Sequence, residues 1–151
     1  MEVMSSWIGK LHQAVLENHF PSLRRLLKEV KGDDEDRRLQ GIMEWSLQGG
    51  CPLHLAAHLG HDGMVKLLVA AGIDVNSYFV GETAGGFRYT ALHYAAAANS
   101  VSTIKILLEL GANPTLEGCS HYNKGTALTF AIRKGNWAVV EIFRGTRSHS
   151  V

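Results

Sequence analysis

Apolar residues recur at helical spacing along residues 51–76, which read CPLHLAAHLGHDGMVKLLVAAGIDVN. The first apolar stripe can begin at Pro52, because the missing proline N–H is not needed in the first turn of a helix, and it ends at Gly60. A second stripe ends at Gly72, where a left-handed residue would terminate a helix. The apolar positions of the two stripes are Leu53, Ala56 and Ala57, then Met64, Val65, Leu67, Leu68 and Ala71. The stretch therefore predicts two short helices joined by a turn.

The same pattern occurs twice more, as TALHYAAAANSVSTIKILLELGANP from Thr90 and as TALTFAIRKGNWAVVEIF from Thr126. In every copy a leucine near the start is followed twelve positions later by a β-branched residue. These pairs are Leu53 and Val65, Leu92 and Ile104, and Leu128 and Val140. A fainter copy, KLHQAVLENHFPSLRRLLKEV, places Leu11 at the same position, so successive anchor leucines are 42, 39 and 36 residues apart. We therefore predict four helix pairs with connections of unequal length.

The openings of these copies resemble T-P-L-H-x-A, the signature of the ankyrin repeat family, with Cys51 in place of the threonine. The resemblance extends over residues 7–143 and implies an all-α ankyrin-repeat solenoid of four stacked helix pairs with extended hairpin or finger loops. It implies a single domain over residues 1–151. The expected repeats are residues 7–34, 49–76, 88–115 and 124–144.

The connections are longer than the family requires, because an ankyrin repeat is about 33 residues long. The additional residues are expected in the fingers, at residues 31–50, 77–89 and 116–125. The second of these, SYFVGETAGGFRY, has aromatic residues on both sides of a glycine-rich tip and predicts a β-hairpin.

Composition excludes several classes of protein. Apolar residues make up 46% of the 151 residues, which is sufficient for a core. Fifteen basic and fourteen acidic residues give a net charge of +1, so we expect neither a nucleic acid nor a membrane as partner. Two cysteines are too few for a disulfide framework, and no apolar run approaches the roughly 18 residues of a membrane span. We expect an intracellular protein, cytoplasmic or nuclear or both.

One group of side chains has the spacing of a metal site. Cys51, His54, His58 and His61 form a C-x₂-H-x₃-H-x₂-H pattern that could bind zinc. The resemblance favours another interpretation, in which His54 and His93 occupy the structural histidine position of the family and bind the backbone of the neighbouring hairpin. We therefore expect neither a metal nor a cofactor.

The sequence contains no arrangement typical of an enzyme. We find no phosphate-binding glycine loop after a strand, no nucleophile elbow and no pair of carboxylates on one inward face. The resemblance implies a non-catalytic protein–protein interaction module that acts as an adaptor, an inhibitor or a targeting subunit. The alternative is a structural fragment or isoform of a longer ankyrin-repeat protein whose effector region is absent.

In ankyrin-like stacks, three positions of each first helix face the concave side. In repeats two to four these positions hold Leu55, His58 and Leu59, then Tyr94, Ala97 and Ala98, then Phe130, Arg133 and Lys134. Stacking would align Leu55, Tyr94 and Phe130 as an apolar ridge. The expected partner site consists of this ridge, the flanking residues His58, Leu59, Arg133 and Lys134, and the finger residues Phe87, Arg88 and Tyr89. The alternative to a partner site is that Leu55 and Phe130 pack internally, partly covered by the fingers.

Two further expectations concern single positions. Asn76 follows Asp-Val and lies eight residues after a leucine, which resembles the asparaginyl-hydroxylation motif of ankyrin hairpins; the alternative is an asparagine that only forms a turn. Gly145 is expected to break the last helix and leave it short. We therefore expect a monomer whose fourth repeat opens first, or whose apolar edge meets a second chain or a missing segment. That edge is Trp137, Val140 and Phe143.

Overall fold

A computed structural model describes residues 2–29, 52–81 and 86–148, with side chains from residue 9 to residue 146. The first predicted finger and Cys51 lie outside these ranges. Within them the chain forms eight helices arranged in four pairs. The pairs are α1 (Glu2–Leu16) with α2 (Phe20–Glu29), α3 (Pro52–Leu59) with α4 (Asp62–Ala70), α5 (Ala91–Ala97) with α6 (Val101–Glu109), and α7 (Ala127–Lys134) with α8 (Trp137–Ser148).

The predicted helix boundaries of the second repeat are confirmed. Helix α3 begins at Pro52 and ends just before Gly60, whose φ is +72°. Helix α4 is followed by Gly72 at a φ of +107°. Glycine adopts this left-handed backbone without the steric cost of a side chain, so these two positions separate one helix from the next.

The helix pairs stack in register. Helices α1, α3, α5 and α7 pack side by side in one layer, and α4, α6 and α8 pack in a second layer. The anchors Leu11, Leu53 and Leu92 are at most 2% exposed, and Val65, Ile104 and Val140 are completely buried between the layers. The expected ankyrin-like solenoid of four stacked helix pairs is therefore present.

The second and third fingers are β-hairpins that join into one antiparallel sheet. Its strands are β1 (Tyr78–Gly81), β2 (Phe87–Thr90), β3 (Gly118–Cys119) and β4 (Lys124–Gly125), in that spatial order. Phe79 lies opposite Tyr89, and Arg88 lies opposite Cys119. The hairpin that the second finger sequence predicts is thus confirmed, and the third finger continues the same sheet.

The expectation of a short last helix was wrong. Helix α8 has 12 residues, against 9 in α4 and in α6, and continues through Gly145 to Ser148. A glycine inside a helix costs only about 1 kcal/mol relative to alanine, which packing can offset. The Thr146 hydroxyl also donates to the carbonyl of Phe143 at 2.8 Å. The position of Gly72 and Gly111 is held here by Arg147, so the left-handed glycine that follows α4 and α6 is missing.

In the parts of the chain that the structure describes, no helix has both the length and the apolar character needed to cross a bilayer.

Candidate functional site

Two buried histidines hold the fingers against the first helices. His54 Nε2, on α3, lies 2.9 Å from the carbonyl oxygen of Ser77, directly before β1. His93 Nε2, on α5, lies 3.0 Å from the carbonyl oxygen of Gly125 on β4. Both side chains are 3% exposed. The role that the family resemblance implies for these two histidines is confirmed.

The His93 ring is surrounded by more hydrogen-bond partners than it can use at once. The backbone N–H of Thr90 points at Nδ1 at 3.2 Å, and that of Gly118 points at Nε2 at 3.0 Å. A neutral imidazole accepts at one nitrogen only. With the proton on Nε2, the ring accepts from Thr90 and donates to Gly125. With the proton on Nδ1, it donates to the Thr90 hydroxyl at 2.8 Å and accepts from Gly118. Either tautomer ties α5 to the β3–β4 hairpin.

Burial keeps both rings neutral near neutral pH. Burial lowers the pKa of His54 from 6.5 to about 4, and the hydrogen bond to the Ser77 carbonyl opposes this shift only in part. Burial also lowers the pKa of His93, again opposed by the bond to Gly125. A group that is buried without a counter-charge favours its uncharged form. These histidines therefore act as structural connectors.

In the fourth repeat the histidine position is held by Thr129. The Thr129 hydroxyl lies 3.2 Å from the Thr126 hydroxyl, and the Thr126 side chain caps α7 by accepting from the Thr129 backbone N–H. The Thr129 side chain is thus engaged within its own helix, whereas His54 and His93 bind the backbone of a hairpin.

The histidines of the zinc-like pattern are spread over different environments. His54 Nε2 is engaged by Ser77, His58 is exposed, and His61 lies at the turn before α4. Among the described residues there is no group of three or more potential metal ligands. Cys51 lies outside that set.

Asn76 connects two repeats. Its backbone N–H donates to Asp74 Oδ1 at 2.9 Å, which forms a local turn. Its side-chain oxygen accepts from the Asn113 N–H at 2.7 Å, and its Nδ2 donates to the Gly111 carbonyl at 3.3 Å. The Asn76 side chain therefore bridges to the equivalent turn of the next repeat.

The two faces of the β1–β2 finger differ in character. Strand alternation and the antiparallel register place Phe79, Phe87 and Tyr89 on the face toward the first helices. Tyr78, Val80 and Arg88 lie on the opposite face, where the Arg88 guanidinium sits 4.8 Å from the centre of the Tyr78 ring. Arg88 is therefore not on the same face as its two neighbours in the predicted partner site.

Five half-buried rings form a continuous group between the finger and the first helices. We call this group the aromatic cluster; its members are Phe79, Phe87, Tyr89, Tyr94 and Phe130. The ring centres of Phe79 and Phe87 are 5.7 Å apart, and those of Phe87 and Tyr89 are 5.9 Å apart. Tyr89 contacts Tyr94 at 6.2 Å and Phe130 at 5.2 Å, both edge-on. The finger thus joins side chains from α5 and α7 into one surface.

Of the expected ridge of Leu55, Tyr94 and Phe130, the structure connects two residues and leaves Leu55 apart. Tyr94 and Phe130 are connected through Tyr89, whereas Leu55 is half-buried and packs against the core. His58 is exposed and meets the edge of Tyr94 with centres 6.2 Å apart. Leu59 is 41% exposed.

The basic residues of the expected site lie at the fourth repeat. Arg133 is exposed, and its Nη2 donates to the Lys124 carbonyl at 3.1 Å. Its guanidinium lies 5.8 Å from the centre of the Phe130 ring. Lys134 is exposed beside it. The ring of Phe130 therefore has a positively charged border.

Phe79 is the member of the aromatic cluster that the sequence analysis did not include. Its ring contacts His54 at 5.9 Å and Tyr94 at 6.3 Å. Alternation along SYFV places Phe79 on one face of the strand and its neighbours on the other, so the sequence already separates Phe79 from Tyr78 and Val80. Only the pairing of Phe79 with Tyr89 shows which face meets the helices.

The family model for ankyrin repeats, described as three copies, matches residues 11–118 and 79–147. These matches span most of the chain and coincide with the four stacked helix pairs. The chain therefore belongs to the ankyrin repeat family, whose fold is generally a non-enzymatic protein–protein interaction module.

Curated relatives contain a similar stretch within much longer chains. The chain is 35% identical over 99 residues to the human transient receptor potential cation channel subfamily A member 1, covering 66% of this chain and 8% of the relative. It is 44% identical over 69 residues to neurogenic locus notch homolog protein 1 of Xenopus tropicalis, covering 46% and 2%. It is 26% identical over 135 residues to mouse ankyrin repeat and SOCS box protein 14, covering 87% and 20%. The chain thus spans a fifth or less of these three relatives.

Proposed function

We propose that this chain binds a partner protein through the concave surface formed by the aromatic cluster and its basic border, and serves as an adaptor, an inhibitor or a targeting subunit. The observation that carries the proposal is the aromatic cluster itself. Five rings from a finger and two helices meet without being fully covered. Aromatic side chains are among the residues that contribute most binding energy at protein interfaces.

The arrangement of the rings suits them to binding. Tyr89 is held by Tyr94 on one side and by Phe130 on another, so neither χ angle of Tyr89 has to be ordered when a partner arrives. Side chains that are already fixed lose little conformational entropy on association. Self-packing and ligand binding are therefore compatible roles for the same rings.

The charges beside the aromatic cluster restrict the partner. Arg133 and Lys134 are exposed at the fourth-repeat end. Lys124 contributes less positive charge, because its Nζ lies 3.2 Å from the Glu117 carboxylate. At the first-repeat end, the corresponding positions include an exposed Glu17. We expect a partner segment with apolar or aromatic residues at its centre and acidic residues toward the fourth repeat.

Affinity capture from a cell lysate with matched variants tests the proposal. The bait proteins are the wild type, Tyr94→Ala, and two controls outside the groove, Tyr122→Ala and Lys105→Ala. Tyr122 is 94% exposed at the tip of the β3–β4 hairpin, and Lys105 is exposed on α6. A protein that is retained by both controls and lost by Tyr94→Ala supports the proposal. Equal recovery by all four baits contradicts it.

A charge-reversal variant separates loss of binding from loss of fold. Arg133→Glu with Lys134→Glu changes two exposed side chains and leaves the buried core untouched. It is expected to weaken capture of the same partner while the circular dichroism spectrum stays that of the wild type.

A further inference from the structure

A cavity of about 230 Å³ lies at the end of the stack, beside the last turns of α8. We call it the end slot. Its walls are Pro114, Thr115, Thr126, Leu128, Phe143 and Thr146. Leu128 and Phe143 make its base apolar, and three threonines surround that base. None of its wall residues belongs to the aromatic cluster.

In the third repeat, a segment of the chain itself occupies the position that corresponds to the end slot of the fourth repeat. After α6, residues 111–114 turn back across the end of the repeat, and Ala112 is 7% exposed. The N–H of Ala112 donates to the Leu107 carbonyl at 2.9 Å. Asn76 bonds to this returning segment on its other side, at Gly111 and Asn113. The returning segment is therefore held between Leu107 and Asn76.

Two of the wall residues of the end slot are the equivalents of Leu107 and Asn76. By the spacing of the anchor leucines, Phe143 takes the position of Leu107, and Thr115 takes the position of Asn76. The second repeat has the same arrangement, with Ile73 at 6% exposure and its N–H bonded to the Leu68 carbonyl at 3.3 Å. In both repeats the segment reads glycine, then a small or branched aliphatic residue, then Asp or Asn.

In the fourth repeat this returning segment is replaced by continued helix, because α8 runs on to Ser148. The consequence is visible in the exposure of two wall residues of the slot, Thr126 and Leu128. Thr90 and Leu92 are each 2% exposed, whereas their equivalents Thr126 and Leu128 are only half-buried. An apolar floor that is covered in the preceding repeat is thus left open here.

We propose that the end slot binds an extended segment of a partner protein in which an aliphatic residue is followed by Asp or Asn. The aliphatic side chain would pack on Leu128 and Phe143, as Ala112 and Ile73 pack within their own repeats. The Thr115 hydroxyl, which donates to Asn113 Oδ1 at 2.6 Å, would offer its oxygen as an acceptor to the backbone of the segment, at the position that the Asn76 amide holds one repeat earlier. The occupant is identified by the two segments of this chain that fill equivalent places.

A peptide with the sequence of residues 109–115, ELGANPT, is the probe. Added to the isotopically labelled full chain, it is expected to shift the backbone amide resonances of Thr115, Thr126, Leu128 and Thr146. The same peptide with aspartate at its alanine is expected to cause no shift, because a charge would be buried against Leu128 without a partner.

Two variants close the end slot without touching the buried core. Thr146→Phe fills the cavity and is expected to weaken peptide binding at least about tenfold, while Thr146→Ser leaves it unchanged. Thr115→Arg blocks the opposite wall and gives the same expected loss if Thr146→Phe fails to fold.

Three outcomes would overturn the proposal. The first is no resonance shift with the alanine peptide, and the second is a shift confined to Tyr94 and Phe130. The third is a shift at Leu128 on concentrating the protein alone, which would make a second copy of this chain the occupant. The second outcome would place the peptide on the aromatic cluster, whereas the first and the third leave partner binding at that cluster untouched.

Discussion

The rings of Tyr89 and Phe130 meet in a T-shaped arrangement with their centres 5.2 Å apart. Tyr89 belongs to a finger strand and Phe130 to the first helix of the last repeat, and the His93 ring contacts both of them. The same side chains therefore fix the finger and belong to the proposed binding surface. Changes that displace Tyr89 are expected to affect stability and binding together.

Gly118→Ala tests this coupling. A Cβ at Gly118 would collide with the Tyr89 ring and press against His93 Nε2. Forcing an additional carbon into such a contact is expected to destabilise the protein by about 1–3 kcal/mol. Urea denaturation measures the loss.

Gly145→Ala is the matched control. A Cβ there meets nothing within 4 Å, and the residue lies inside α8. Alanine is the better helix former, so this change is expected to stabilise the protein by up to about 1 kcal/mol. Equal effects of the two substitutions would show that the close approach of Tyr89 to Gly118 is unimportant.

The buried histidines predict a loss of stability on mild acidification. The pKa of His54 is about 4 in the folded protein and 6.5 when exposed. Between these values the unfolded chain binds a proton that the folded chain does not, so stability decreases as the pH falls from 6.5 toward 4. The expected loss in the free energy of unfolding between pH 7 and pH 5 is about 2 kcal/mol from His54.

Urea titrations at both pH values check this dependence. His54→Gln is expected to reduce the loss by about the share of His54 and to leave the share of His93, whereas His58→Gln, on the exposed side of the same helix, is expected to retain the full loss. An unchanged pH dependence in His54→Gln would assign the effect to other groups.

The spacing of apolar residues predicted the helix pairs because burial of the first and second helices depends on short-range periodicity. Leu53 and Val65 lie where that periodicity places them. The role of Phe79 was missed because it depends on strand pairing, which brings residues from two sides of a glycine-rich tip together. The same pairing puts Arg88 on the other face of the finger.

The end of the last helix was predicted incorrectly for a different reason. Glycine was treated as a helix terminator at Gly145, although its position in the repeat differs from that of Gly72 and Gly111. A glycine ends these helices where the chain must turn left-handed. Gly145 lies two positions too early, and the equivalent position is held by Arg147.

Hydroxylation of Asn76 remains a prediction. Because the Asn76 amide bonds to Gly111 and Asn113, the turn has to open before an enzyme can reach the side chain. After incubation with an ankyrin asparaginyl hydroxylase, the peptide containing Asn76 is expected to gain the mass of one oxygen atom. An unmodified peptide, under conditions that modify a control ankyrin peptide, would refute this.

The fourth repeat is still expected to open first, although its second helix is long. Ile132 is 47% exposed and Trp137 is 61% exposed, whereas Ala57 and Ala96, the equivalents of Ile132, are completely buried. Fewer buried contacts lower the free energy of local opening. Hydrogen exchange of a dilute monomer should show weaker amide protection in α7 and α8 than in α3 to α6. Uniform protection across these helices would contradict the expectation.

The affinity of the double variant Tyr94→Ala/Phe130→Ala for the captured partner tests the central claim most directly. Because Phe130 also packs on Tyr89, the fold of the variant is checked first by circular dichroism. Each ring is expected to contribute about 1–3 kcal/mol of binding free energy, while Lys105→Ala changes affinity little. Isothermal titration calorimetry should therefore find the dissociation constant of the double variant raised at least about tenfold. A folded double variant that binds with wild-type affinity would show that the aromatic cluster is not the partner site.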